Sequence, residues 1–298
     1  MPGLQIFRLA VGLTACLGCA ASPAPPRSPT RTEPASAMFA MGEDYELFMG
    51  RWGTRLAPLF VTFAQVRDGD RVLDVGAGTG AVALTIEATM PSSQVVGVDP
   101  SAGLLEYGRR RAKSARVHLE VGDAQALRFE AGAFDKTVAQ LVMNFIPDHE
   151  KAMHEMVRVT RPGGVVSACV WDYGAGMQML RFFWDEAVAL DPGAAVKDER
   201  KMKLSRRGEL GDLWRKAGLS AVEESPLSFE QRFASFDDYW VPFLKGAGPG
   251  GEYVQSLGAA QRELLTTRLR ARLSKGAPDG SFSLEATANC VRGVVPKG

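Results

Sequence analysis

Asp74 stands two residues before a glycine-rich turn, Gly76-Ala77-Gly78-Thr79-Gly80, and Asp99 closes a second short apolar run, Val95-Val-Gly-Val-Asp99. Glycines at 76, 78 and 80 let the backbone turn tightly and approach a ligand without side-chain obstruction. Gly76, Gly78 and Ala81 also satisfy the loose G-x-G-x-x-G/A pattern of dinucleotide sites, and Asp99 lies near the distance expected of a ribose-binding acid. Two details argue against a diphosphate. The third glycine is Gly80, so the spacing is G-x-G-x-G. The Asp74 carboxylate would face the incoming ligand, where it repels a diphosphate and suits an ammonium group.

Asp74-Val-Gly-Ala-Gly-Thr-Gly80, Asp99 and the later Gly122-Asp123-Ala124 resemble, in order, the cofactor motifs of class I S-adenosylmethionine-dependent methyltransferases. Tyr45-Glu-Leu-Phe-Met-Gly-Arg-Trp52, Asn144-Phe-Ile-Pro-Asp148 and Arg161-Pro-Gly-Gly164 are similar to the small-molecule group that includes ubiquinone/menaquinone-type enzymes. The likeness runs from Tyr45 to Val294. It implies S-adenosyl-L-methionine as cofactor, a ligand with an ammonium, a ribose diol and an adenine but no phosphate. Asp74 would orient the ammonium, with Gly76, Ala77, Gly78 and Gly80 around the methionine portion. Asp99, beside Pro100, would accept from both ribose hydroxyls, a task needing two acceptor oxygens on one group. Asp123 and the Ala124 backbone would take the adenine, and Gln140 opens into the site from the fourth strand. For the methyl acceptor the expected residues are Tyr45, Arg51, Asn144, Trp171 and Tyr173, and the aromatic residues Trp184, Tyr239 and Trp240 are candidates to cover it.

Methyl transfer needs alignment and exclusion of water more than it needs a catalytic side chain. A general base is required only when the acceptor must lose a proton. His149 is the nearest candidate in sequence but reads more readily as an exposed first-turn helix residue, and no catalytic residue is assigned. An NAD-dependent oxidoreductase is the rival enzyme class, opposed by Asp74. A cofactor-binding protein tethered to a membrane, without catalysis of its own, is the non-enzymatic alternative.

These residues need a scaffold. Arg71 to Val75, Val95 to Asp99, Val117 to Val121, Phe134 to Leu141 and Val165 to Val170 read as buried strands alternating with helices. Such alternation predicts an α/β fold with a doubly wound, mostly parallel sheet. Ser101 and Asp148 read as helix N-caps. Tyr45 to Val66 reads as a helix with Leu47, Phe48, Trp52, Leu56, Leu59 and Phe63 on one face. Beyond Trp171 the alternation breaks. Strands at 221–233 and 281–294 complete a seven-stranded, Rossmann-like sheet with an antiparallel last strand. Helical insertions at 172–206 and 236–276 are candidate substrate lids within a single domain, 38–298.

The chain has 298 residues, 46% hydrophobic and 23% charged, with a net charge of +1. That balance offers no basic surface for nucleic acid, and none is expected as a partner. Its four cysteines are too scattered for a disulfide framework or zinc cluster, so no metal is expected and a thiol-dependent arsenite-type enzyme is disfavoured. Residues 1–37 stand apart. Leu9 to Ala21 is apolar behind Arg8, Leu13-Thr-Ala-Cys16 fits the bacterial lipoprotein processing pattern, and 22–37 is a Pro-rich tether. Two readings stay open: an anchor or export signal using Cys16, or a spurious extension. Because the implied cofactor is made and regenerated in the cytosol, the expected compartment is the cytoplasm. Membrane contact would follow only from a genuine anchor.

Overall fold

The computed structural model describes residues 45–246, 248–273 and 280–297. Strands β1 (Arg71–Val75), β2 (Gln94–Asp99), β3 (Val117–Val121), β4 (Phe134–Gln140) and β5 (Thr160–Trp171) pair in parallel, in the order β3-β2-β1-β4-β5. The sheet ends with β7 (Phe282–Val294), antiparallel to β5, and β6 (Ser220–Phe233) outside it. This is the expected α/β, doubly wound, seven-stranded architecture. Chain direction away from β1 reverses between β2 and β4, so a crevice opens at the carboxyl ends of β1 and β4, where open α/β sheets bind their ligands.

Helices α1 (Arg51–Phe63), α2 (Ala81–Thr89), α3 (Ala102–Arg111) and α4 (His149–Val159) flank the parallel part. Both N-cap readings hold: Ser101 Oγ accepts from the Leu104 N–H, and Asp148 Oδ1 accepts from Lys151 N–H at 2.9 Å. Two expectations about the first helix do not hold. Leu47 and Leu59 are exposed, while Gly53, Ala57 and Phe60 join Phe48, Trp52 and Leu56 inside. Within α1 the winding is regular, and its buried face is centred on Gly53, Leu56, Ala57 and Phe60, which leaves Leu59 at the edge; Leu47 lies on a π-turn, Glu46–Gly50, that precedes the helix.

Strand β5 also begins five residues earlier than expected. Pro162-Gly163-Gly164 lies within it, at a register shift against β4, instead of separating helix from strand. Beyond β5 come α5 (Gln178–Leu190), α6 (Glu209–Lys216), and, between β6 and β7, α7 (Phe236–Leu244), α8 (Gly248–Ser256) and α9 (Ala259–Leu273). An aromatic cluster ties α5, α7 and α8 together: Phe183 stacks on Phe243 at 4.5 Å, and Trp184 packs against Tyr253. Trp184, Tyr239 and Trp240 are buried in this cluster and its surroundings. They are core and not pocket cover, because long apolar rings on facing helices bury one another first. No helix among the described residues is long and apolar enough to cross a membrane. Residues 1–37, with Cys16, lie outside the described residues.

Candidate active site

Val72, Leu73 and Val75 bury β1 on both faces, as a central parallel strand requires. Asp74 is carried into that environment with them and is 1% exposed. The turn beyond it is built for close approach. Gly76 has φ +72°, and a Cβ there would fall 2.4 Å from Val142 Cγ2. Gly78 has φ +52°, and its Cβ would meet only the Gly76 carbonyl, at 3.9 Å. Gly76 therefore serves the turn, whereas Gly78 leaves open space. Gly80, also left-handed, is the N-cap of α2.

A cleft runs over this turn, lined by Asp74, Gly76, Ala77, Gly78, Tyr45 and Gln140, among others. Gln140 donates its amide N–H to the Gly53 carbonyl at 3.0 Å, which fixes its orientation. Two buried acceptors on the cleft-lining residues, Asp74 Oδ2 and Gln140 Oε1, have no hydrogen-bond partner among the described residues. Unpaired buried oxygens are costly. Both call for N–H donors from a ligand. Burial pushes the Asp74 carboxyl up to about 7; an Ala83 backbone N–H pulls it down, and the charge of Asp99 adds to the rise.

Asp99 is the second fixed acid. Its Oδ2 accepts from Gly78 N–H at 3.0 Å and its Oδ1 from Ser101 N–H at 2.8 Å, so both oxygens are held at the rim of the glycine turn. Burial raises its carboxyl above the ordinary range despite those two N–H groups. Asp123 is exposed and accepts from its own turn, at Gln125 N–H, 2.8 Å. Pro100 is exposed and Ala124 half-buried. None of Asp99, Pro100, Asp123 and Ala124 is among the residues that line the cleft.

A second pocket adjoins the first. Tyr45 and Leu141 line both. Leu141 has φ +61°, a left-handed geometry that is strained for leucine. Its N–H still bonds the Cys169 carbonyl at 2.8 Å, so the chain swings out of β4 at the junction of the two pockets. The second pocket is walled by Phe48, Phe145, Trp171, Leu180 and Met202, with Tyr173 and Glu199 as its other polar members. Tyr45, Trp171 and Tyr173, three of the residues expected around an acceptor, line this one pocket. Burial raises the hydroxyl pKa of both tyrosines far above its usual value, so both stay protonated donors.

Arg51 and Asn144 are placed differently. Arg51 donates to Asp238 Oδ1 at 2.8 Å and sits over the Phe233 ring, clamping α1 to α7 and β6. Asn144 lines neither pocket, yet its side chain meets two walls of the second, Met202 Sδ at 3.9 Å and Tyr173. Glu199, Met202 and Phe48 were not legible as site residues: the first two fall in a charged, aperiodic link, and Phe48 reads as ordinary helix core. His149 is half-buried at the first turn of α4 and lines neither pocket.

Residues 72–164 match the family described as "Methyltransferase domain". That segment is less than half of the chain. Within it fall the glycine turn, Asp99, Asp123 and Gln140. Trp171, Tyr173 and Glu199 lie beyond its end. An uncharacterized protein of Mycobacterium tuberculosis is 37% identical over 152 residues, covering 48% of this chain and 54% of that protein. Demethylmenaquinone methyltransferase of Symbiobacterium thermophilum is 32% identical over 154 residues, covering 49% of this chain and 61% of the enzyme. The chain spans about half the length of the curated relatives it matches. Among solved structures, YcgJ of Bacillus subtilis superposes with a TM-score of 0.53 at 19% identity, over 82% of this chain and 99% of that one. Phosphoethanolamine N-methyltransferase 2 of Haemonchus contortus, solved in complex with S-adenosyl-L-methionine, gives 0.53 at 23% identity, over 90% and 59%. What these structures share with this chain is its fold.

Proposed function

We propose that the protein is an S-adenosyl-L-methionine-dependent methyltransferase acting on a small-molecule acceptor. The observation that carries this is the pair of unpartnered buried oxygens, Asp74 Oδ2 and Gln140 Oε1, beside the open Gly78 turn. Acceptor atoms with no donor fit an ammonium and not a diphosphate, which would bring more acceptors and negative charge. The cofactor complex of the Haemonchus enzyme and the activity named for the Symbiobacterium relative support the same reading.

Bound there, the cofactor supplies an electrophilic methyl group on a positively charged sulfur. Asp74 and Gln140 hold its ammonium, and the Gly76 to Gly80 backbone lies against the methionine portion. Asp99, held in place by Gly78 and Ser101, receives the ribose diol. Asp123 and Ala124 take the adenine. Tyr45 and Leu141, shared by both pockets, stand where cofactor and acceptor meet. Apolar walls around the second pocket exclude water from the transfer, and Trp171 and Tyr173 orient the acceptor. We place the protein in the cytoplasm, where its cofactor is made.

Isothermal titration of the protein with S-adenosylmethionine and with NAD tests the assignment. Heat with the former and none with the latter is expected. No heat with S-adenosylmethionine would overturn it.

A further inference from the structure

We infer that Glu199 is the proton-accepting residue of the acceptor pocket, and that the acceptor is an uncharged, largely apolar molecule presenting an acidic O–H, such as a phenol. This rests on the methyltransferase reading above and adds to it a base and a substrate class.

The geometry begins with the wall. Tyr45, Phe48, Met49, Leu141, Phe145, Trp171, Tyr173, Leu180, Glu199, Met202, Gly248 and Pro249 line the pocket, and no Lys, Arg or His is among these described residues. An acceptor carrying a carboxylate or phosphate would find no cation there and would face a carboxyl group. A flat or apolar body fits the rings and methionines, with its polar atom directed to the single acid.

Glu199 is held in place for that task. It is 6% exposed, on a short turn of the first lid segment, and its Oε2 accepts the indole N–H of Trp184. The carboxyl also accepts its own backbone N–H, and Glu199 lines the pocket. The cations nearby are committed elsewhere. Arg181 bonds Asp198 through Nη1 and Nη2, its Nε having no partner among the described residues, and Arg200 pairs with Asp198 and Asp185. The groups whose charges Glu199 feels are Arg181 and Asp198, and Tyr173 in turn feels Glu199 across the pocket. Burial pushes this carboxyl up to about 7, against the Trp184 hydrogen bond and the pull of Arg181. A base of that strength is half ionised at neutral pH, the range in which proton removal is most effective.

In the step, the acceptor O–H bond breaks and its proton passes to the Glu199 carboxylate. The freed electron pair forms the new O–C bond to the methyl carbon. The C–S bond breaks with its pair retained by sulfur, which becomes a neutral thioether. The proton returns to solvent when the product leaves, and no oxidant or further reactant is needed.

The test uses the full chain, Glu199→Gln and two matched probes, 4-propylphenol and 4-propylbenzoate. Gln keeps an acceptor for Trp184 and removes only the charge. Binding without cofactor, followed by tryptophan fluorescence, is expected for the phenol and at least tenfold weaker for the benzoate. The wild-type affinity for the phenol should rise with pH through about 7, and the variant should lack that rise. Methyl transfer from labelled cofactor to 4-propylphenol should fall about 10²- to 10³-fold in the variant, with S-adenosylmethionine affinity unchanged within about twofold. Equal binding of the benzoate, or an unaltered pH profile in the variant, would overturn the inference. Failure of the wild type to bind S-adenosylmethionine would instead sink the methyltransferase reading, and the cofactor-free binding measurement would still judge Glu199.

Discussion

Replacing Asp74 by Asn separates what the site costs from what it does. The carboxyl has an ordinary value of 3.8 and is pushed up to about 7 in the folded protein, first by burial and further by Asp99. A carboxyl raised in this way keeps its proton in the folded state at pH values where the unfolded chain has lost it. Stability from this group is therefore greatest at the acid end, falls as pH rises from about 4 to about 7, and is level above that. Near pH 8 the full penalty for ionising Asp74 is about 4 kcal/mol, and roughly 2.5 kcal/mol of it accumulates between pH 5 and pH 8.

Asn has the same shape and cannot ionise. Urea unfolding of wild type and Asp74→Asn at pH 5, 6, 7 and 8 should show the variant gaining on the wild type by about 2.5 kcal/mol across that span, equivalent to roughly 5–10 °C in melting temperature. An unpaired amide at the site can lower the variant's stability at every pH, but it cannot produce the slope. The same variant should lose about ten- to hundredfold in affinity for S-adenosylmethionine, the loss expected for a charge-assisted hydrogen bond. Stability curves that stay parallel from pH 5 to pH 8 would refute the buried, unpaired carboxyl. A variant that becomes more stable at high pH yet binds the cofactor as before would refute its role.

Because an ammonium favours ionised Asp74, cofactor binding at pH 7 should release about half a proton, read from calorimetry in two buffers of different ionisation enthalpy; no buffer dependence would contradict the pairing. Gly76→Ala and Gly78→Ala should part company. A Cβ at Gly76 strikes Val142 at 2.4 Å and should cost about 2–3 kcal/mol of stability. At Gly78 it meets nothing nearer than 3.9 Å, so about 1 kcal/mol of backbone strain is expected with a larger loss of cofactor affinity. Arg51→Ala should lower stability by about 1 kcal/mol or less, since the pair with Asp238 is partly exposed. It should leave cofactor affinity unchanged, and a double-mutant cycle with Asp238→Ala should recover the coupling in unfolding and not in binding.

The cofactor half of this protein is legible in its sequence because its demands are local. A parallel strand buried on both faces must be an apolar run, a left-handed turn must be glycine, and an acid inside such a strand has no structural reason to be there. Asp74, Gly76 and Gly78 satisfy these conditions within five residues, and Asp99, 21 residues beyond Gly78, is brought to them by the hydrogen bond from the Gly78 N–H. The acceptor half obeys no local rule. Glu199 lies in Lys197-Asp198-Glu199-Arg200-Lys201, a stretch with the composition of a solvated loop. It is buried only because Arg181 and Arg200 take Asp198 and the Trp184 indole takes its own carboxyl, contacts reaching back 15 and 17 residues to α5. Arg51 errs in the opposite direction: a charged residue in a family-like motif whose partner, Asp238, lies 187 residues away. The family match ends at residue 164, and most of the residues that wall the second pocket come after it. The glycine-turn cleft is thus set by backbone geometry that neighbouring residues dictate, whereas the second pocket is set by side chains from distant elements, which only the folded chain brings together.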